Sequence, residues 1–162
     1  MNAARPLQEA APRPSVVFVD DDAGNRQAFK AAFRHAFEVH TAATLEEVLD
    51  LLARHTIHVL IADQRMPAVR GSALLARVRE AHPQVRRMLV TAYADLDAII
   101  EAVNKGGVTK YFAKPWVHDQ LLQAVEQAHA DYCAEEQRTD YTKRLEQANR
   151  QLEFALRQRL LS

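Results

Sequence analysis
Short apolar runs alternate along this chain with longer stretches in which apolar residues recur every three or four positions. Runs that end in charge read as buried strands, and the wider spacing reads as helices laid on a sheet. Ser15-Val16-Val17-Phe18-Val19 is the first run, and it stops in Asp20-Asp21-Asp22. Gly24 and Asn25 make a turn, after which Phe29, Ala32, Phe33 and Phe37 give a helix its stripe. Residues 38–42 form a weak second strand. Thr44 followed by Glu47 fits a capping box for a helix carrying Leu45, Val48, Leu49 and Leu52. Residues 58–62 make a third strand that runs straight into Asp63, and Pro67 halts any regular element beyond it.

The same rhythm continues. Residues 71–81 carry Leu74, Leu75 and Val78 on a helix closed by His82-Pro83, because the residue before proline avoids helical geometry. A fourth strand over 85–90 ends at Thr91. Asp95 caps a helix with Leu96, Ile99, Ile100 and Val103, which Gly106-Gly107 ends. A fifth strand over 108–113 reaches Lys114-Pro115, and a helix over 118–134 follows through Leu121, Leu122, Val125 and Ala128. Five strand-helix repeats with short connections predict a parallel sheet covered by helices on both faces, with right-handed crossovers.

The last stretch departs from this pattern. Residues 131–140 are almost wholly polar, and then Tyr141, Leu145, Ala148, Leu152 and Ala155 recur at alternating four and three, a coiled-coil seam of about two heptads. Asp140 with Arg144, Glu146 with Arg150 and Glu153 with Arg157 are acid-before-base pairs four apart that support an exposed helix. The seam suits pairing with a second copy; a solvated, unpaired amphipathic tail is the other reading. The expected organisation is a disordered leader at 1–14, one domain at 15–132 and a helical linker or coiled coil at 133–162.

Composition narrows the classes. With 162 residues, 48% hydrophobic and 26% charged, the chain can bury one core with a tail to spare. Twenty-one basic residues against 21 acidic ones give a formal net charge of zero, which removes any global electrostatic case for nucleic acid or an anionic membrane as partner. Cys133, the single cysteine, cannot form an internal disulfide and suits a reducing cytosol as an inert thiol. Residues 1–14 lack the apolar core of a signal peptide, and no apolar run approaches membrane-spanning length. The expectation is a soluble cytoplasmic protein. The seven histidines show no ligand spacing and receive no role.

In an open parallel sheet, ligands sit beyond the carboxyl ends of the strands. Four of the expected strand ends carry polar residues: Asp20 and Asp21, Asp63, Thr91, and Lys114. Together with Asp63-Gln64-Arg65-Met66-Pro67, Thr91-Ala92 and Tyr111-Phe112-Ala113-Lys114-Pro115-Trp116, this set resembles the receiver domain of two-component response regulators over about residues 15–132. The resemblance implies a flavodoxin-like, doubly wound α/β fold with a five-stranded parallel sheet in the order 2-1-3-4-5, followed by an extended C-terminal helix. It implies that Asp63 takes a phosphoryl group from a sensor histidine kinase, that Asp20, Asp21, Asp63 and the backbone carbonyl of Arg65 hold Mg²⁺, and that Lys114 and Thr91 contact the phosphate. Crowded carboxylates at a strand edge are chemically suited to a hard cation that keeps several waters. It also implies a cis bond at Pro115 and a switch in which Thr91 and Tyr111 reshape the face made by the fourth helix, fifth strand and fifth helix. Through that face and the C-terminal helix two copies are expected to pair as a homodimer. Arg65 and Tyr93 are bulky neighbours of the acceptor that hinder incoming water, so slow self-dephosphorylation is expected.

Two other classes remain distinguishable. Asp20 and Asp22 have the Asp-x-Asp spacing of haloacid-dehalogenase-type phosphatases, but Ala23-Gly24 stands where Gly-Thr belongs and there is no room for a cap domain. A pseudo-receiver would keep the fold for dimerisation and drop the chemistry, against which stand the intact acids, Thr91 and Lys114. The Asp-Gln-Arg-Met-Pro and Lys-Pro-Trp runs resemble receivers that precede σ54-type activator or HD-GYP phosphodiesterase domains. The downstream effector is unknown, and the absence of a DNA-binding motif argues against direct operator binding by this chain.

Overall fold
The five apolar runs lie side by side in a parallel sheet. In the computed structural model, which describes residues 12–92 and 95–161, the strands are β1 (Ser15–Val19), β2 (Glu38–Ala42), β3 (Val59–Asp63), β4 (Arg86–Thr91) and β5 (Lys110–Ala113). Their order is β2-β1-β3-β4-β5, the flavodoxin-like doubly wound arrangement. The helices are α1 (Ala23–Phe33), α2 (Leu45–Arg54), α3 (Gly71–Ala81), α4 (Leu96–Asn104) and α5 (His118–Leu160).

Both faces of the sheet are covered, and the two layers differ in character. One packs Phe29 and Phe33 of α1 and Leu121, Ala124, Val125 and Ala128 of α5 against Val16, Phe18, Ile61 and Met88. Here the rings of Phe18 and Phe29 stack at 4.2 Å, and Trp116 meets both edge-on. The other layer is aliphatic, with Val48 and Leu52 of α2, Leu74, Leu75 and Val78 of α3 and Ala102 of α4 on Val17, Leu60 and Leu89. Each fully buried Phe or Leu contributes about 1.5–3 kcal/mol, so residues with no polar role hold the carboxyl edge in place.

Several local details correct the sequence reading. Gly24 and Asn25 lie inside the first turn of α1 instead of preceding it, because Asp22 caps the helix by accepting the Asn25 N–H at 3.0 Å. β5 begins at Lys110, since the Val108 N–H turns back to the Ala102 carbonyl. The capping box of α2 forms, with Thr44 Oγ1 accepting the Glu47 N–H, although Glu47 reaches the Ala43 N–H one residue further out. Gly107, at φ 58°, takes the left-handed position after α4. At the end of the expected leader, Arg13 donates to the Arg34 carbonyl and the Pro14 carbonyl accepts the Glu38 N–H; residues 1–11 lie outside the described residues.

α5 runs unbroken for 43 residues. Its buried side chains end at Ala128, and Tyr141, Leu145 and Leu152 are exposed. Among the described residues Glu135 and Arg138, three apart, form an ion pair on this exposed part, and the three expected four-apart pairs do not form. Long exposed side chains gain little from pairing in water, so such contacts are weakly specified. Among the described residues no helix is long and apolar enough to cross a membrane.

Candidate functional site
Parallel pairing in register brings the strand ends to one edge. β1 and β3 align Val19 with Ala62, so the next residues, Asp20 and Asp63, emerge side by side. β4 and β5 align Thr91 with Ala113, which delivers Lys114 beside them. Asp20, Asp63 and Thr91 are 1%, 4% and 2% exposed, whereas Asp21 is open to solvent.

One carboxylate oxygen from each of Asp20, Asp21 and Asp63 lies within 4.8 Å of the others. Lys114 Nζ sits 2.6 Å from Asp63 Oδ1 and 4.0 Å from Asp20 Oδ2, so it pairs chiefly with Asp63. The Lys114–Pro115 peptide is cis. Three carboxylates crowd the Lys114 ammonium, with the Arg26 guanidinium donating to the Asp20 carbonyl at 2.7 Å, and the excess of negative charge suits a divalent cation. The donor set is all oxygen, with neither thiolate nor imidazole, which fits Mg²⁺.

Asp20 is held from two directions. Its Oδ1 accepts the Asp22 N–H at 2.9 Å, and its Oδ2 accepts from Asn25 Nδ2 at 3.1 Å. Burial pushes the Asp20 pKa up, these two hydrogen bonds pull it back, and the neighbouring Asp63 charge adds to the upward push. A cation at this edge would relieve a cost the fold already carries. Thr91 Oγ1 is buried with no hydrogen-bond partner among the described residues. A buried hydroxyl in that condition costs about 1–3 kcal/mol and is a free donor at the strand edge.

The surroundings divide into three openings. Asp20, Asn25, Lys114, Pro115 and Trp116 line a cleft of about 370 Å³. Asp21, Gln64, Arg65, Arg70 and Asp95 are among the residues of a second, of about 510 Å³, which brings the Arg65 segment next to the acids. Thr91, Ala92, Leu96, Ile99, Tyr111 and Ala113 line a third of about 270 Å³, with Tyr111 half exposed at its rim. Asp22, by contrast, caps α1 by accepting the Asn25 N–H. Tyr93, the other expected neighbour of the acceptor, lies outside the described residues.

Sequence reasoning missed three residues here. Asn25 restrains Asp20, Gln64 pins the loop after Asp63, and a Cβ on Gly71 would come within 2.3 Å of the Asp63 carbonyl oxygen. Nothing in the local pattern marks the first two, since each acts on a residue several positions away.

A family model described as the response regulator receiver domain matches residues 16–126. Among curated proteins, the chain is 37% identical over 114 residues to the hydrogenase transcriptional regulatory protein HoxA of Cupriavidus necator, covering 70% of this chain and 24% of that protein. It is 37% identical over 128 residues to the DNA-binding transcriptional regulator NtrC of Escherichia coli, covering 77% and 27%. The chain thus spans about a quarter of the length of these relatives. Among solved structures, the signal receiver domain of an HD domain-containing protein from Pseudomonas fluorescens superposes with a TM-score of 0.74 at 29% identity, covering 83% of this chain and 99% of that one.

Proposed function
Since this chain belongs to the response regulator receiver domain family, we propose that it is a phosphoacceptor switch in which Asp63 takes a phosphoryl group from a phosphohistidine on a sensor kinase. The observation that carries this is the pairing of Lys114 with Asp63 at 2.6 Å, beside two further carboxylates. An Asp63 oxygen attacks phosphorus, the new P–O bond forms as the P–N bond breaks, and the electron pair departs with the imidazole nitrogen. The chain's own part is positioning and charge neutralisation. Lys114 balances the equatorial oxygens, and the Thr91 hydroxyl donates to one of them. Asp20, Asp21, Asp63 and the Arg65 carbonyl are the residues to hold Mg²⁺, which when bound neutralises charge on the transferred group.

The chain acts as a substrate of its kinase in the cytoplasm and assists its own dephosphorylation, which Arg65 and Tyr93 slow by obstructing water. Adding nearly two negative charges at this edge draws Thr91 toward the phosphate and lets Tyr111 turn into the opening behind it. That change alters the α4–β5–α5 face, where Leu96, Ile100, Val103, Tyr111 and Val117 are all about half exposed or more. Two copies then pair through this face and the extended part of α5. At about 100° per residue the Tyr141, Leu145, Ala148, Leu152 and Ala155 seam lies roughly 150° round α5 from its sheet-facing side, so pairing needs no undocking. Output passes to an effector; relatives of this chain are transcriptional regulators by name.

The test is phosphorylation by acetyl phosphate with Mg²⁺, followed by mass spectrometry of peptides. Phosphate is expected on Asp63, lost in Asp63→Asn, with a lifetime of minutes or longer. Label on Asp20 would support the phosphatase class, and no label at all the pseudo-receiver. Beryllofluoride with Mg²⁺ is expected to move the sedimentation profile toward the dimer, and an unchanged profile removes the pairing model.

A further inference from the structure
Resting on the phosphoacceptor reading, we propose that Gln64 is a positioning residue that fixes the Arg65 carbonyl toward the acidic cluster. Gln64 is 4% exposed and is bonded to two neighbouring elements. Its N–H donates to the Val90 carbonyl of β4 at 2.9 Å, and its own carbonyl accepts the Gly71 N–H at 3.1 Å. Its side-chain Oε1 accepts the Ser72 N–H at 2.8 Å. Arg70, the cap residue of α3, supplies no side-chain bond to the helix, so the Gln64 amide caps α3 from across the loop.

The consequence is a loop over residues 65–70 that leaves from Gln64 and returns to it. Within it Met66 is buried, at 8%, Val69 packs on the same aliphatic layer, and the Arg65 side chain is exposed with no partner among the described residues. The direction of the Arg65 carbonyl is therefore set by the fastening at Gln64 together with the seating of Met66 and Val69 in the aliphatic layer. Gly71 transmits this fastening to the acceptor, because α3 packs directly on the Asp63 backbone with no room for a Cβ. A residue that orients a metal ligand without touching the metal shifts affinity by about 10–100-fold when lost.

Mg²⁺ titration of the full chain, followed by the fluorescence of Trp116, its single tryptophan, tests this, since Trp116 lines the cleft with Asp20 and Lys114. Gln64→Met, which keeps the size and deletes the acceptor, is expected to weaken Mg²⁺ binding about tenfold. Gln64→Glu, which keeps an acceptor oxygen, is expected to bind as well as the parent or better. Should Gln64→Met fail to fold, Gln64→Asn, a methylene too short to reach Ser72, is expected to show the same loss. Parent-like affinity in Gln64→Met, or equal loss in Gln64→Met and Gln64→Glu, overturns the proposal. Asp21→Asn separates the two levels: if it weakens binding while Gln64→Met does not, only the positioning role fails, and if neither does, the phosphoacceptor reading fails as well.

Discussion

Arg87 and Thr91 stand near the two ends of β4, both almost wholly buried, and the fold treats them in opposite ways. Arg87 donates through Nε to the Gly106 carbonyl at 2.6 Å and through Nη1 to the carbonyls of Val85 at 2.6 Å and Pro83 at 3.2 Å. Burial pushes its pKa down, with Arg79 and Arg86 nearby adding to the effect, yet a guanidinium stays charged and its bonds are made. Thr91 Oγ1 makes none. A paired buried cation at one end fastens the β4–α3 and α4–β5 turns together. At the other end the unpaired Thr91 hydroxyl is a stability cost beside the carboxylate edge, a cost shared among the described residues by Ser72 Oγ and Arg86 Nε.

Substitutions at the two ends should therefore diverge. Arg87→Met strands several carbonyls and is expected to cost about 3 kcal/mol in urea denaturation, with phosphorylation by acetyl phosphate intact in the folded fraction. Gly107→Ala forces a Cβ onto a left-handed residue and toward the Arg87 guanidinium, and is expected to cost about 1–2 kcal/mol in the same measurement. Thr91→Val removes the orphaned hydroxyl, so stability should change by less than about 1 kcal/mol or rise, while the sedimentation response to beryllofluoride is lost. If Thr91→Val destabilises as much as Arg87→Met, the contrast is wrong.

The smallest effect concerns pH. His58 Nδ1 accepts the Ser15 N–H at 2.9 Å, which requires a neutral ring, and the His129 and Tyr132 rings pack against it. Burial pushes the His58 pKa down, His129 adds to this, and Glu38 opposes it. The folded state thus prefers the neutral form: the stabilisation is present above the ordinary histidine value and is lost as pH falls through the lowered one. The urea midpoint should drop from about pH 7.5 to about pH 5.5, and His58→Gln should flatten that slope.

Much of the molecule was legible in its residues. Buried parallel strands are near-continuous apolar runs, so β1 and β3 announce themselves, and the acids beyond them follow by register. Strand starts were less legible: β4 begins at Arg86 because the Val85 N–H bonds back to the His82 carbonyl, a choice that hydrophobicity does not encode. Asp20, Asp21, Asp63 and Lys114 could be gathered from spacing, whereas Asn25 and Gln64 could not, since a neutral amide has no pattern and its partner is fixed only by the folded loop. The histidines follow the same rule: His58 accepts from Ser15 and His118 stacks on Phe33, roles that exist only after folding.

The length of α5 gives small movements at its root mechanical reach. Beyond Cys133, the last half-buried residue after Tyr132 packs on His58, the helix projects about 40 Å to Leu160 at 1.5 Å per residue. A tilt of about 5° at its root carries the far tip through roughly 3.5 Å, about the rise of one residue along a strand. On the phosphoacceptor reading proposed above, a rod of that kind would turn sub-ångström adjustments around Lys114 and Tyr111 into a displacement its far tip could pass to a second copy.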